Sequence, residues 1–195
     1  MLSALFFFLA ASFAWGQKKG YCNGYVIFGI NDTVWGQIKD RPLGSSDGMF
    51  SKVRFIPKDR SFRQKFSAND LTGYGYGDIH FVSIPLIETK EFLITRYYIL
   101  DGENRRFLKV VKRSDCLHSY EVEFVHEDNG IIDKYPLFYI PGTREMVRVT
   151  QGVFGLKEKR IAEYFDNCPE LIKEVENGTI KETMDLYDFY CTNCR

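Results

Sequence analysis

Between Gly24 and Thr150 the apolar positions recur mostly every second residue, and after Gly155 they recur at helical spacing. Gly24-Tyr-Val-Ile-Phe-Gly29 and Thr33-Val-Trp-Gly-Gln-Ile38 flank Asn31-Asp32, residues that accept the left-handed backbone of a tight hairpin. Gly36, inside the second run, marks a bulge or a close backbone approach. Lys52 to Ile56 and Arg63 to Phe66 form a second expected pair, split by Pro57 to Ser61. Ser67 and Asp70 are spaced to close a capped turn that Gly73 ends, and Gly77-Asp78 leads into a strand over Ile79 to Ile84. Phe92 to Leu100 and Arg106 to Lys112 lie either side of Asp101-Gly102, a hairpin signal. The cleanest alternation puts His118, Tyr120, Val122, Phe124 and His126 on one face, with Ser119, Glu121, Glu123 and Glu127 mostly on the other. Asp128-Asn129-Gly130 turns the chain into Ile131 to Ile140, and Glu145 to Thr150 makes a last strand.

The tail changes period. Ile161, Ala162, Tyr164 and Phe165 fall on one side of a helix, which Asn167-Cys168-Pro169-Glu170 interrupts. Proline suits the first turn of a new helix, and Glu170 suits the positive end of its dipole. Leu171, Ile172 and Val175 carry this helix to the stop at Asn177-Gly178. Thr179 or Thr183 is placed to cap a third, along which Met184, Tyr187, Cys191 and Cys194 share a face. The pattern predicts an α+β protein: an antiparallel β-meander sheet or partial barrel, then a short segment of three helices. The expected divisions are a signal peptide over 1–16, an antiparallel β domain over 17–152, and a helical segment over 153–195 packed on the sheet.

The first division rests on a charge-free start. Residues 1–16 contain the unbroken apolar run Leu5 to Ala11, too short to span a bilayer, which takes roughly 20 residues. Ala14-Trp15-Gly16 then offers the small residues of a cleavage site, ahead of polar Gln17-Lys18-Lys19. The expectation is export to the periplasm or cell envelope, with no membrane span once the signal is removed. Composition adds little field: 26 lysines and arginines balance 26 aspartates and glutamates, so nothing draws the chain to nucleic acid. The local basic clusters at Arg105-Arg106, Lys112-Arg113 and Lys157 to Arg160 have acidic residues among or near them and read as a solvated mixed face. The 17 phenylalanines and 12 tyrosines suit a well-filled β-rich core.

Two stretches carry a resemblance. Gly24 to Ile38 resembles the "GY-I/V…GDT…G-x-I" opening of uncharacterised exported proteins of Bacteroidota. Gln151-Gly-Val-Phe-Gly-Leu156 with Tyr164-Phe-Asp-Asn-Cys-Pro-Glu-Leu171 resembles the "YF…CPEL" ending of the same group. The chain departs from that pattern in having Asn31 where a turn glycine is usual. The resemblance implies a cell-envelope location and transfers no catalytic residue.

The remaining chemistry centres on five cysteines: Cys22, Cys116, Cys168, Cys191 and Cys194. A redox role for Cys191-x-x-Cys194 wants a helix N-terminus to lower the thiol pKa, and this pair sits at a C-terminal end. A zinc site needs four ligands; Cys116 and His118 with Cys191 and Cys194 make the one candidate set, with a tight single-residue spacer. An exported chain favours disulfides. A third helix returning antiparallel to the second brings Cys194, or alternatively Cys191, to Cys168, and Cys22 joins Cys116 only if their strands are neighbours. Glu121 and Glu123 stand roughly 7 Å apart on one face, a spacing known in glycoside hydrolysis. The function expected is a non-enzymatic envelope protein that binds an unknown protein or polymer or serves a structural role. It has no assigned catalytic residue, cofactor or metal. The alternative is a hydrolase or small-ligand-binding protein using His118, His126, Glu121 and Glu123.

Overall fold

Every pairing among the described strands is antiparallel, and one long strand, Ile79–Glu91, belongs to two assemblies at once. The computed structural model describes residues 19–41, 52–91, 94–102, 104–125, 130–150 and 155–194. In chain order these hold β1 (Cys22–Gly29), β2 (Asp32–Lys39), β3 (Val53–Pro57), β4 (Gln64–Phe66), β5 (Gly73–Tyr76), β6 (Ile79–Glu91), β7 (Ile94–Ile99), β8 (Arg105–Arg113), β9 (His118–Val125), β10 (Ile132–Tyr139) and β11 (Glu145–Val147). Three helices follow: α1 (Glu158–Tyr164), α2 (Pro169–Glu176) and α3 (Thr183–Asn193).

The sheet closes on itself. From β6 the neighbours run β7, β11, β10, β9 and β8, and β8 pairs back onto β6 through Phe81↔Lys109 to Pro85↔Arg105. This six-stranded barrel is filled by one parity of side chains: Ile84, Leu86, Tyr97, Leu108, Tyr120, Val122, Tyr135, Leu137 and Met146. The remaining strands form an arm, β4-β3-β2-β1-β5, that joins the barrel along the first half of β6. Its inner face carries Val26, Ile38, Val53, Phe55 and Tyr74, which pack with Phe81 and Phe107 of the opposite parity on β6 and β8. Tyr74 stacks on Phe81 at 4.5 Å and meets Phe107 edge-on at 4.8 Å. The arm therefore covers the outside of the barrel.

The helices cover another part of that outside. Leu117, Phe138, Val147 and Val149 bury against Ile161, Phe165, Leu171, Val175, Leu186, Tyr187 and Tyr190. Pro169 occupies the first turn of α2 with Glu170 beside it, and Gly178 takes φ +71° just past the end, where any other residue is strained. The helices begin where expected, except that α3 has Glu182 rather than a threonine at its N-cap.

Several local expectations are met in detail. The β1–β2 turn puts Asn31 at φ +62°. Asp70 accepts hydrogen bonds from the Ser67 amide at 2.7 Å and hydroxyl at 2.6 Å, closing the short turn. Three expectations fail: the Asp101-Gly102 hairpin, the strand end at Ile84 and the meander order. Asp101-Gly102 joins no hairpin: β7 pairs with β6 and β11, while β8 pairs with β6 and β9. The cause is β6, which continues past Pro85 where the sequence predicts an end. Pro85 sits where one edge of the strand passes from β5 to β7, so its missing N–H costs one ladder bond, and its carbonyl still accepts from Leu100 at 3.2 Å. The sheet is thus not a meander at this point, because β11 comes between β7 and β10. Strand β5 goes unpredicted by the pattern; its Gly-Tyr-Gly-Tyr run packs as a central strand between β1 and β6. The expected signal peptide, the Asp128-Asn129 turn, His126, and the β-to-α boundary at 152 lie outside the described residues.

The arm allows no side chain at Gly36. A Cβ there would stand 2.1 Å from the Ile56 carbonyl oxygen and 2.8 Å from the Phe55 ring. Gly36→Ala is expected to lower unfolding free energy by roughly 1–3 kcal/mol through overpacking, measured by urea denaturation. Gly102→Ala, which meets open space, serves as the neutral comparison.

Candidate functional site

The strand expected to carry chemistry is β9. His118, Tyr120, Val122 and Phe124 do point into the barrel, and Glu121 and Glu123 point outward. Neither carboxylate is free. Glu121 is held by Lys109 at 3.2 Å and Lys134 at 3.0 Å. Glu123 pairs at 3.5 Å with Arg41, whose side chain is 7% exposed and lies over the Phe81 ring. Beside it Asp40 accepts from the Tyr74 hydroxyl at 2.6 Å and the Tyr76 hydroxyl at 2.8 Å. These contacts clasp the end of β2 to the barrel wall. His118 Nδ1 lies 3.0 Å from the Tyr120 hydroxyl and its ring leans on Tyr139. Burial, and then the charge of Arg113, hold its pKa below the ordinary histidine value.

The cysteines sort into two crosslinks. Cys168 is bonded to Cys194, with Cα atoms 5.4 Å apart, and Cys191 to Cys116, 5.5 Å apart. Cys191 is thereby excluded as the partner of Cys168, and the conditional pairing of Cys22 with Cys116 is overturned: Cys116 lies in the β8–β9 turn, while Cys22 begins β1 and is exposed and free. The candidate zinc set also dissolves, because its cysteines are all bonded to one another or to Cys168, and His118 turns to Tyr120. Around the crosslinks α3 docks through its tyrosines. The Tyr187 hydroxyl donates to the Leu117 carbonyl at 2.9 Å and lies 2.6 Å from the Ser114 hydroxyl. Lys112 sits over the Tyr187 ring and pairs with Asp188. At the other side α1 is tied down by Tyr164, which donates to the Glu145 carbonyl and accepts from the Ile140 amide.

Sequence reasoning missed a polar group at the opposite end of the barrel interior from His118. Glu88, Tyr97, Arg106, Tyr135 and Arg148 meet there. The Tyr97 and Tyr135 hydroxyls are 3.1 Å apart, and Glu88 pairs with Arg106 at 3.6 Å. The Arg148 guanidinium lies 4.1 Å above the Tyr135 ring, also close to Phe124. The available signal was parity: Glu88 and Arg106 are charges at inward-facing positions of β6 and β8, and Arg148 continues the inward parity of β11 one residue past its end. A second surface feature lies on the outer face of the arm. Trp35, Tyr25 and His80 stand in one cross-strand row, with Gly75 leaving room for the Tyr25 hydroxyl to reach His80 Nδ1 at 2.6 Å.

Among the described residues no group of three His, Cys, Asp or Glu is placed to hold a metal ion, and no helix is long and apolar enough to cross a membrane. The chain matches no protein-family model, no curated protein and no solved structure.

Two outcomes test this account. In the chain-entropy model the Cys168–Cys194 crosslink closes the shorter loop and the Cys116–Cys191 crosslink the longer, with sequence separations of 26 and 75. Cys168→Ser with Cys194→Ser should therefore cost roughly 3 kcal/mol, and Cys116→Ser with Cys191→Ser roughly 4, by denaturant unfolding. The second concerns pH. Burial raises the phenol pKa of Tyr74, Tyr97, Tyr120 and Tyr135 above the ordinary 10.0, and pushes Tyr164 up to about 12. Above pH 10 the unfolded chain loses phenolic protons that the folded chain keeps, so stability falls as pH rises. It should be intact below about pH 10, and the phenolate absorbance of these five tyrosines should appear together with loss of the native circular dichroism signal.

Proposed function

We propose that this is an exported cell-envelope protein that works without catalysis, as a binding or structural module akin to the uncharacterised exported proteins of Bacteroidota. The observation that carries this reading is the pair of overlapping disulfides, one closing the helical clip and one joining it to the barrel, of a kind favoured in an oxidising compartment. The charge-free, apolar start of the sequence supports the same destination. The non-catalytic part is supported by how the chemistry-bearing side chains are used. Glu121 and Glu123 are bound by lysines and arginine, His118 by a tyrosine hydroxyl, and Asp40 by two more.

Expression of the full chain with fractionation and mass spectrometry tests the reading. The expected result is a protein in the envelope fraction, beginning at or near Gln17, that yields Cys116–Cys191 and Cys168–Cys194 peptides under non-reducing digestion. A cytoplasmic protein with Met1 intact and free thiols would overturn it.

A further inference from the structure

At the Arg148 end of the barrel two cations lie near one another, and among the described residues the carboxylate beside them, Glu88, is engaged by Arg106. Lys157 follows the short bridge between Thr150 and Leu156, and its amide donates to the Val149 carbonyl at 2.7 Å, so its backbone lies next to the residue that follows Arg148 and its ammonium feels the Arg148 charge. The neighbouring basic groups are already neutralised: Arg160 pairs with Glu145 and Glu163, and Arg106 with Glu88. Arg148 and Lys157 pair with no carboxylate among the described residues. The Arg148 Nε is buried and has no hydrogen-bond partner. Its guanidinium is fixed in place by the Tyr135 face rather than by an anion. The Lys157 ammonium is held below its ordinary pKa first by burial, then by the charges of Arg148 and Arg160.

Such an arrangement costs free energy in the unliganded protein. Two like charges in a half-buried setting repel, and an unpaired buried N–H forfeits a hydrogen bond. Both costs are relieved by one event. A guanidinium presents a planar fork of donors that matches a carboxylate or phosphate, and a lysine adds a flexible point charge. We propose that this end of the barrel binds a small oxyanion, carboxylate or phosphate, between the Arg148 guanidinium and the Lys157 ammonium group. The Tyr97 and Tyr135 hydroxyls lie close by as further polar contacts. The inference gives the binding module a ligand class and rests on that reading for its setting. Its test is independent of where the protein resides.

The experiment uses the full chain with both disulfides formed and follows the Arg148 Nε–H resonance in ¹H–¹⁵N spectra. Inorganic phosphate and sodium acetate are added in separate titrations, with chloride holding ionic strength constant. The expected result is a saturable shift with at least one of them, and which one saturates identifies the headgroup. Lys157→Met should weaken that binding about tenfold or more, equivalent to roughly 1.4 kcal/mol. Lys159→Met, an exposed lysine two residues on, should leave it unchanged. Arg148→Lys keeps the charge, removes the fork, and should also weaken binding. Linear shifts with both anions, or equal losses in the two lysine variants, would overturn the proposal by showing general screening only. That failure would leave the export reading standing, just as a cytoplasmic location would leave the titration valid.

Discussion

Strand β6 is buried on two faces, and the period-two geometry of a strand makes each face serve a different core. Ile84 and Leu86 fill the barrel, while Phe81 fills the space under the arm. A slip of one residue would exchange the two sets, so register is specified twice over. Each buried apolar side chain contributes about 1.5–3 kcal/mol, enough to decide which face points where. The fine position is fixed by a polar contact. The Ser83 hydroxyl donates to the Ala68 carbonyl at 2.5 Å and accepts from Arg105 Nε at 2.8 Å, while Arg105 also donates to the Ser83 carbonyl. A buried hydroxyl with both kinds of partner satisfied can sit at only one place along the strand.

From that strand the rest of the molecule follows as two coverings of one barrel. The arm covers the β6–β8 side and is clasped just past its middle strand, β2, by Asp40 and Arg41. The helices cover the β10–β11 side and are clasped by Tyr164, Tyr187 and two crosslinks. The two clasps differ in kind. The arm uses charge: removing one member of a buried ion pair such as Arg41–Glu123 typically costs about 3–5 kcal/mol, because the other is left uncompensated. The helices use covalent links, fitting for short segments that would be marginal alone.

Much of this was legible in the residues. Asn31 and the Ser67–Asp70 turn announce local geometry, because their side chains or backbone freedom act within a few residues. Pro169 and Gly178 bracket α2 for the same reason, and with the return of α3 they bring Cys194 to Cys168. What stayed hidden was decided at long range. Asp101-Gly102 has the chemistry of a hairpin, yet β7 and β8 find β6 on opposite edges. The glycines of β5 read as punctuation, although Tyr74 and Tyr76 bracket a glycine in strand alternation. Arg148 lies at an alternating position of the expected strand Glu145 to Thr150, and only barrel closure shows that position to be interior. Cys116 likewise meets Cys191 only because the β8–β9 turn lies under α3.

The arrangement of the crosslinks also sets how the molecule responds to tension. Cys194 is tied to Cys168, so part of a pull applied beyond Cys194 skips α2 and most of α3 and arrives at the start of α2. Cys191 passes part of the same pull to Cys116, at the rim of the barrel between β8 and β9. There the strands are hydrogen-bonded to neighbours on both sides and must be sheared rather than peeled. Helix α2 and most of α3 are thus spared the force, which passes through α1 and the Cys116 rim to the closed barrel as the mechanical anchor of the chain.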